Sequence, residues 1–439
     1  MPSSPVQPSK FGLLSIILLG VNTIIGSGIF LLPGIPMDLL GPGSIFIFPL
    51  VSIMAIGIAL CFAECAGRFN RNGGAYVYAR EAFGDFVGFE VGLLKLTVNI
   101  VAWAAFAVGF VTALGQLIPP ILHDPWYSLS VVGFLGMLMA IQLNGVHCIK
   151  IVNNMLSIGK LTILGLFIAV GIFYIDVSHF TPLFPEDVEI GNVGSAALTV
   201  FFAFSGFESI AIAAEDMKNP TKNLPRAILI VLGICSFIYF LFQIIAIGIL
   251  GPALAHSASP IYDAARVVGD WAAWAMGFGT LLSIGGVAFA SSYVTPRSAI
   301  ALAQDKLLPK QICFLNSRGV PFWAIVIPGC LAIAIALTGS FVTLATISVL
   351  ARLIQFLPTA LAVLVFRRRL PEKSLYHIPF GPLVPLLSIT FTLWLMSNAH
   401  FEELCWGAGA LLAGIPLYWS MKFWNGTASL KSRSQQNVR

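Results

Sequence analysis

The stretch Gly20-Val21-Asn22-Thr23-Ile24-Ile25-Gly26-Ser27-Gly28-Ile29-Phe30 lies inside a hydrophobic run long enough to cross a bilayer. Because glycine destabilises a helix interior, these residues predict an unwound backbone at membrane depth. Unwound backbone is tolerated there only where it lines a cavity or is buried in protein. A second interrupted run, Phe201–Glu208, begins the sixth apolar segment. Paired broken segments in two halves of a chain indicate a small-molecule site between them.

The composition is that of an integral membrane protein. Of 439 residues, 58% are hydrophobic and 10% are charged, whereas soluble domains carry about 25% charged residues. The seven cysteines form no CxxC pair or Cys/His cluster, so they are interpreted as small buried hydrophobes. The sequence indicates no metal site and no cofactor, and lipid is the expected surrounding.

Apolar stretches of about 20 residues predict about twelve membrane-spanning helices. The predicted spans begin near residues 12, 43, 86, 127, 151, 194, 227, 272, 322, 341, 377 and 403. An even number of spans places both ends of the chain on one side of the membrane. The predicted divisions are an N-terminal tail (1–11), a helical domain (12–424) and a C-terminal tail (425–439).

Lys and Arg concentrate in alternate loops and in both tails. Representative basic loop residues are Arg80, Lys150, Lys222, Lys310 and Arg368, and the other loops carry Asp38, Asp124, Asp176, Asp263 and Asp270. By the positive-inside rule, the basic loops and both tails are predicted to be cytoplasmic. Loops this short leave no room for a nucleotide-binding module, and no GxxxxGK[ST] motif occurs. ATP-driven transport and nucleic-acid binding are therefore not expected.

Several motifs occur in an order that resembles one superfamily of transporters. They are GSGIF at 26–30, Asn72–Tyr78, Gly206–Glu208 with Glu215–Pro220, Asn223–Arg226 and Ala303–Pro309. Together they resemble the amino acid-polyamine-organocation superfamily over about residues 11–425. The resemblance implies an all-α membrane protein with an inverted five-plus-five repeat (12–175 and 194–366), broken helices 1 and 6, and two extra helices (377–424).

An amino acid presents a carboxylate and an ammonium at fixed spacing, so its site needs amides at one end and carbonyls at the other. Amides of the helix that begins after the first break suit the carboxylate, and carbonyls freed at both breaks suit the ammonium. The resemblance adds a side-chain pocket and an aromatic gate at Phe202, where a core phenylalanine is the alternative. The predicted substrate-binding residues are Thr23, Ile24, Gly26, Ser27, Gly28, Thr97, Phe202, Ala203, Ser205 and Ser291. The alternative for the glycines is close helix packing.

Charged residues inside membrane spans are rare and costly, so each suggests a function. The candidates are Lys95, Lys160, Glu208, Arg297 and Arg352, with Glu64 and Glu90 nearer the cytoplasmic ends. Arg297 is expected to snorkel to the interface. Arg352 is expected either to close an inner gate or to bind freed carbonyls.

Lys160 is the predicted proton-coupling residue. Its setting resembles that of sodium-independent relatives, in which a lysine of the fifth span stands where sodium binds in others. The resemblance implies that it donates to carbonyls near Gly20 and Val21 and near Ser283. Burial disfavours the charged form of a lysine, which favours proton release. A permanently charged structural lysine is the alternative.

The resemblance to antiporters places Lys95, Glu208 and Phe356 at an inner gate, beside the gate residue Phe202. Burying a lone lysine and a lone glutamate would be costly, so Lys95 and Glu208 are predicted to pair. The competing partner, Glu90, lies about 140° away from Lys95 around the helix.

The expected function is proton-coupled amino acid transport by alternating access in a bacterial inner membrane. The substrate is expected to be neutral or broadly defined, because Thr97 and Ser291 are small and not acidic. An amino acid/amine antiporter is the alternative, a non-transporting receptor is less favoured, and no enzyme constellation is present. The sequence leaves monomer and homodimer open.

Overall fold

The computed structural model describes residues 12–69, 74–144, 146–185, 189, 191–212, 217–316, 319–339, 341–370, 376–399, 404, 409 and 411–421. These residues form helices and connecting turns. The described part of the chain contains no β-strand, apart from an isolated antiparallel bridge between Leu315 and Pro321.

The described residues of the first half form eight α-helices. They are α1 (Leu13–Ile24), α2 (Ser27–Leu31), α3 (Gly34–Leu40), α4 (Ile47–Ala66), α5 (Ala75–Phe83), α6 (Asp85–Leu117), α7 (Trp126–Leu143) and α8 (Val146–Gly171). Short 3₁₀ helices lie at Gly41–Phe46, Pro119–Leu122, Ile172–Tyr174 and Val177–Phe180.

The second half continues with α-helices numbered in the same way. They are α9 (Gly191–Phe204), α10 (Phe207–Ile212), α11 (Pro220–Leu250), α12 (Pro260–Val268), α13 (Asp270–Gln304), α14 (Phe322–Ala336), α15 (Phe341–Arg369), α16 (Leu383–Ser397) and α17 (Leu411–Met421). Two further 3₁₀ helices lie at Gly251–His256 and Lys310–Cys313.

Eight helical segments in the described ranges are long and apolar enough to cross a membrane. They are Gly34–Ala66, Asp85–Leu117, Trp126–Leu143, Val152–Tyr174, Gly191–Ile210, Lys222–His256, Asp270–Gln304 and Ile347–Arg369. Shorter apolar helices are α1, α14, α16 and α17. The predicted all-α fold is confirmed for the described residues, whereas the number of twelve spans stays a prediction.

Part of the helix order recurs among the described residues. Each half begins with a broken helix (α1/α2 and α9/α10), later has a long helix (α4 and α11), and then has a nine-residue helix before the longest one. In the first half, α3 lies between the broken helix and the long helix. The nine-residue helices end at Gly84 (φ +97°) and Gly269 (φ +149°), backbone conformations that favour glycine. The 33-residue α6 and the 35-residue α13 therefore occupy corresponding places.

The first broken helix lies in the interior of the bundle. α1 packs against α8, α10, α11 and α13, and α6 packs against both α13 and α15. Buried apolar side chains from nearly all of these helices form one continuous core. The two helix breaks are consequently held in the middle of the protein.

Candidate functional site

The two helix breaks face one another. α1 ends at Ile24 and α2 begins at Ser27, while α9 ends at Phe204 and α10 begins at Phe207. A Cβ at Gly206 (φ +117°) would collide with the carbonyl oxygen of Thr23. A Cβ at Gly28 would lie 2.8 Å from the Cα of Ala203. Both glycines are therefore required by the close approach of the breaks.

The first break offers hydrogen-bond donors without partners. The Ser27 side chain is fully buried, and its Oγ has no hydrogen-bond partner. Ser27 is the first residue of α2, and amides in the first turn of a helix have no acceptor within it. A buried hydroxyl beside such amides can donate to an anionic group.

The protein's own hydroxyls bind two of the carbonyls predicted to accept from an ammonium, those of Ile24 and Phe202. Tyr239 Oη lies 3.1 Å from the Ile24 oxygen and 2.8 Å from the Ala203 oxygen, and so joins the two breaks. Ser205 Oγ donates to the Phe202 oxygen at 2.7 Å. Buried carbonyls freed from a helix need donors, and these side chains supply them. The sequence reasoning missed Tyr239, whose hydroxyl within an apolar span was the available signal.

The two predicted side-chain pocket residues lie in different surroundings. Thr97 lies on the exposed side of α6, in line with Phe86 at helical spacing, and its hydroxyl donates to Leu93 of the same helix at 3.0 Å. The structure thus does not bring Thr97 to the breaks. On the buried side of α6, Asn99 donates to Ser298 of α13 at 3.4 Å. Ser291 on α13 is partly exposed.

Lys160 on α8 joins the first break to α13. Its Nζ is 2.5 Å from the Ile25 oxygen, 3.4 Å from the Asn22 oxygen and 3.3 Å from the Ser283 oxygen. The expected acceptor on α13 is therefore confirmed, but the acceptors on α1 are Asn22 and Ile25 rather than Gly20 and Val21. The Val21 oxygen already accepts from the Ile25 amide at 2.9 Å, so the free carbonyls begin after it.

A pair of buried asparagines adjoins Lys160. Asn22 Nδ2 donates to Asn153 Oδ1 at 2.8 Å and to the Gly286 oxygen at 3.0 Å. Asn22 Oδ1 and Asn153 Nδ2 have no hydrogen-bond partner. Ser157 Oγ, on the same side of α8, donates to the Leu18 oxygen at 3.0 Å. Lys160, Ser157 and Asn153 therefore form a row of buried polar side chains along α8, directed toward the N-terminal end of that helix.

Glu208 follows the second break and binds two cations. Its Oε1 accepts from Lys95 Nζ at 2.8 Å and also from Arg352 Nη1. Its Oε2 accepts from the Gly206 amide at 3.0 Å. The side chains of Lys95, Glu208 and Arg352 are 3%, 2% and 6% exposed, so the cluster is sealed from solvent. The predicted contact between Lys95 and Glu208 is present, and Arg352 joins it.

The alternative pairing of Lys95 with Glu90 does not occur. Glu90 is buried with no hydrogen-bond partner for either carboxylate oxygen. Its carboxylate lies against Gly414 of α17, where a Cβ would collide with it. Arg297, expected to snorkel, donates to the Tyr293 oxygen at 3.0 Å and stacks 3.5 Å over the Tyr293 ring.

Aromatic side chains surround the buried gate candidate Phe356. Its ring lies 5.5 Å from that of Phe62, 5.4 Å from that of Phe207 and 6.1 Å from that of Phe201. Phe202, the other predicted gate ring, is buried at 7% exposure. Arg352 lies four residues before Phe356 on α15, which is about one helical turn. The charged cluster therefore adjoins the aromatic layer formed by Phe62, Phe201, Phe207 and Phe356.

A second polar network ties the C-terminal ends of α4 and α15. Glu64 accepts two hydrogen bonds from Arg367, at 2.9 and 2.6 Å, and one from the Ile378 amide at 2.9 Å.

A separate group of ion pairs links α5 to the residues after it and after α13. On α5, Arg80 pairs with Asp85 and with Asp305 after α13, at 2.7 and 2.6 Å. Although burial opposes it, hydrogen bonds to these two aspartates raise the pKa of Arg80.

The family model described as amino acid permease matches residues 11–403. A methylthioribose transporter of Bacillus subtilis is 30% identical and covers 86% of both chains. A branched-chain amino acid permease of the same organism is 29% identical, covering 93% of this chain and 92% of its own length. Its serine/threonine exchanger is 29% identical, covering 94% and 97%. This chain therefore belongs to the amino acid permease family, within the amino acid-polyamine-organocation superfamily of membrane transporters.

Proposed function

We propose that this protein moves amino acids across a bacterial inner membrane by alternating access, driven by protons. The observation that carries the proposal is the pair of facing helix breaks, one of which binds the Lys160 ammonium. Broken helices at midplane are the usual substrate and ion sites of secondary transporters.

The protonation state of Lys160 determines how many hydrogen bonds it can donate to the helices around it. As an ammonium it has three N–H donors for the oxygens of Asn22, Ile25 and Ser283. As a neutral amine it has two, so at least one of these bonds is lost. Loss of a proton therefore loosens the link between α8, the first break and α13, which is a basis for coupling proton movement to the state of the site.

The substrate proposed is an amino acid with a neutral side chain. Its carboxylate would accept from Ser27 Oγ and from amides of Gly26 and Gly28, and the remaining residues predicted at the breaks would surround it. Glu208, the carboxylate nearest the second break in sequence, already binds Lys95 and Arg352. It is therefore not free to bind a cationic side chain. Ser291 stays a proposed pocket residue, whereas Thr97, which lies on the exposed side of α6, is not included in the proposed pocket.

The proposed topology has twelve spans, an inverted repeat, and both tails in the cytoplasm. The repeated order of helices supports the two halves. Loop charge supports the orientation: Arg80, Lys222 and Lys310 lie near connections proposed to be inside, and Asp38, Asp124 and Asp176 lie near connections proposed to be outside, as the positive-inside rule expects.

At the inner gate we place Lys95, Glu208, Phe356 and Phe202. In this arrangement, the ion cluster and the aromatic layer close the substrate path between the helix breaks and the cytoplasm. Opening toward the cytoplasm would then require Glu208 to separate from its partners. Arg352 belongs to the same gate because it binds the same carboxylate oxygen as Lys95.

Proteoliposomes test the function directly. Uptake of labelled L-leucine and L-serine would be measured with acid outside, without a pH gradient, and with a protonophore. Competitors would include the other standard amino acids, their amines and methylthioribose. We expect accumulation of a neutral amino acid that needs no internal substrate and is abolished by the protonophore. Ligand binding without any movement would indicate a receptor and contradict transport.

Exchange is the second candidate, supported by similarity to a serine/threonine exchanger. It predicts uptake only into vesicles preloaded with substrate, at a rate that does not depend on the pH gradient. The same vesicles, loaded or empty, distinguish the two mechanisms.

A further inference from the structure

The buried cluster at Glu208 holds more positive than negative groups. Two cationic side chains, Lys95 and Arg352, donate to one carboxylate oxygen, and the Gly206 amide donates to the other. With all three side chains charged, the cluster would carry a net charge of +1 out of contact with water. An uncompensated buried charge costs several kcal/mol, so one of the three groups is expected to change its protonation.

The chemistry of the three groups selects Lys95. A guanidinium stays protonated in proteins, which excludes Arg352. Protonating Glu208 would raise the net charge to +2 and remove the acceptor that both cations use. A neutral Lys95 amine leaves a balanced pair of Arg352 and Glu208. It still donates an N–H to Glu208 Oε1, so it keeps the observed 2.8 Å contact.

No second described carboxylate compensates Lys95. Glu90 on its own helix turns toward Gly414 of α17, and Asn99 bonds Ser298 of α13. The other titratable side chains on helices packed against α6 are neither hydrogen-bonded nor ion-paired to Lys95. They are Tyr76, Tyr78, Arg80 and Glu81 on α5, Tyr127 on α7, Asp270, Tyr293 and Arg297 on α13, Cys330 on α14, Arg367, Arg368 and Arg369 on α15, and Tyr418 on α17.

We propose that Lys95 is a proton-binding site of the inner gate, neutral while the gate is closed and protonated when it is open. This rests on the proposed gate, and it adds a second proton site to Lys160. When α10 moves away from α15, Glu208 leaves Arg352 and water reaches the amine. A proton taken up only in the open state favours that state by up to tenfold for each unit fall in cytoplasmic pH.

The test measures gate opening without any substrate. A cysteine at Ser209, the buried neighbour of Glu208 on α10, is introduced into a chain otherwise free of cysteine. Its rate of reaction with N-ethylmaleimide is measured between about pH 6 and pH 8. Each rate is divided by that of a cysteine at the exposed Lys222, which corrects for thiol ionisation. The measurement is made with Lys95, Lys95→Met, Lys95→Gln and Lys95→Arg.

With Lys95, labelling is expected to rise up to about tenfold per pH unit as the pH falls. Lys95→Met, or Lys95→Gln if the methionine variant does not fold, should give slow labelling at every pH. Lys95→Arg, which cannot lose its charge, should give fast labelling at every pH. Slow labelling in Lys95→Arg with fast labelling in the neutral variants would overturn the proposal, because Lys95 would then be a charged partner that closes the gate.

A Lys160→Gln background keeps the two proton sites apart. The pH dependence should persist there if Lys95 carries it, and its disappearance would assign it to Lys160 instead. Because no substrate is used, a protein that fails to transport in vesicles can still show this gating. Failure of the proposed function and failure of the Lys95 proposal therefore give different results.

Discussion

At the scale of the residue, Lys160 stands out because one side chain connects two helices and a helix break. All three of its acceptors are backbone oxygens rather than carboxylates. Main-chain oxygens cannot titrate, so Lys160 is the titrating member of this set of hydrogen bonds. A substitution at Lys160 is therefore a direct test of the coupling between proton movement and substrate accumulation.

Lys160→Gln should abolish accumulation driven by a pH gradient and leave exchange of labelled substrate across the membrane. The amide can bind a carbonyl but cannot carry a proton. Proteoliposome uptake with and without acid outside measures both activities. The exposed Lys222→Gln is the control and should behave as wild type. Gradient-driven accumulation at the wild-type level in Lys160→Gln would place the coupling elsewhere.

Ser27→Ala should weaken substrate binding by about tenfold, the effect of losing one hydrogen bond to a charged group. The matched probe is the amide of the same amino acid, which has no carboxylate. Competition by the amide should change much less between wild type and Ser27→Ala. An equal loss for the acid and the amide would show that Ser27 does not bind the carboxylate.

The sequence predicts functional residues whose type and neighbours in the chain are unusual. It does not predict partners that depend on how the helices pack. Lys160 was predictable because a lysine in an apolar run is rare and costly. Its acceptors at the first break are Asn22 and Ile25 rather than the expected Gly20 and Val21, because the free carbonyls depend on the residue at which α1 ends. Thr97 was wrongly assigned to the pocket side of α6, since one position changes the direction of a side chain by about 100°. The sequence does not choose between the two roles expected of Arg352, because its partner Glu208 lies on another helix.

At the scale of the element, the two breaks were predicted from glycine and are present in the structure. The predicted starts near 12, 86, 127, 194, 272, 322 and 341 lie within three residues of helix starts, because long apolar runs are strong signals. Those near 43, 151, 227 and 377 differ from the helix starts by four to seven residues, and the one near 403 lies outside the described residues. The bonding of Tyr239 across both breaks was not predictable, since it depends on how three helices pack. The predicted motif residues 72–73 and 215–216 lie outside the described residues.

Gly206→Ala should abolish transport and lower the melting temperature. The positive φ at this position costs a side chain about 1–3 kcal/mol, and the added Cβ would collide with Thr23. Gly233→Ala on α11 is the control, because a Cβ there meets no atom within 4 Å. Fluorescence-detected melting and vesicle uptake give the two readouts. Wild-type transport by Gly206→Ala would show that the tight junction of the breaks is dispensable.

At the scale of the whole molecule, the proposed topology places the α10–α11 connection inside and the α8–α9 connection outside. A cysteine at Ser178, in the exposed turn after α8, should react with an impermeant maleimide in intact cells. A cysteine at the exposed Lys222 should react only after the membrane is opened. Labelling of both in intact cells would refute this arrangement.

Glu64 cross-links two of the long helices. Its carboxylate clamps the C-terminal end of α4 to Arg367 on α15 and to the backbone at Ile378, and Arg68 reinforces the clamp from one helical turn away. Arg352 belongs to the same helix as Arg367, so this clamp also restrains the helix that carries the gate guanidinium. Glu208 lies on the six-residue α10, which takes no part in the clamp. If the proposed gate opens, we expect α10 to carry Glu208 away while α4 and α15 keep their positions relative to each other.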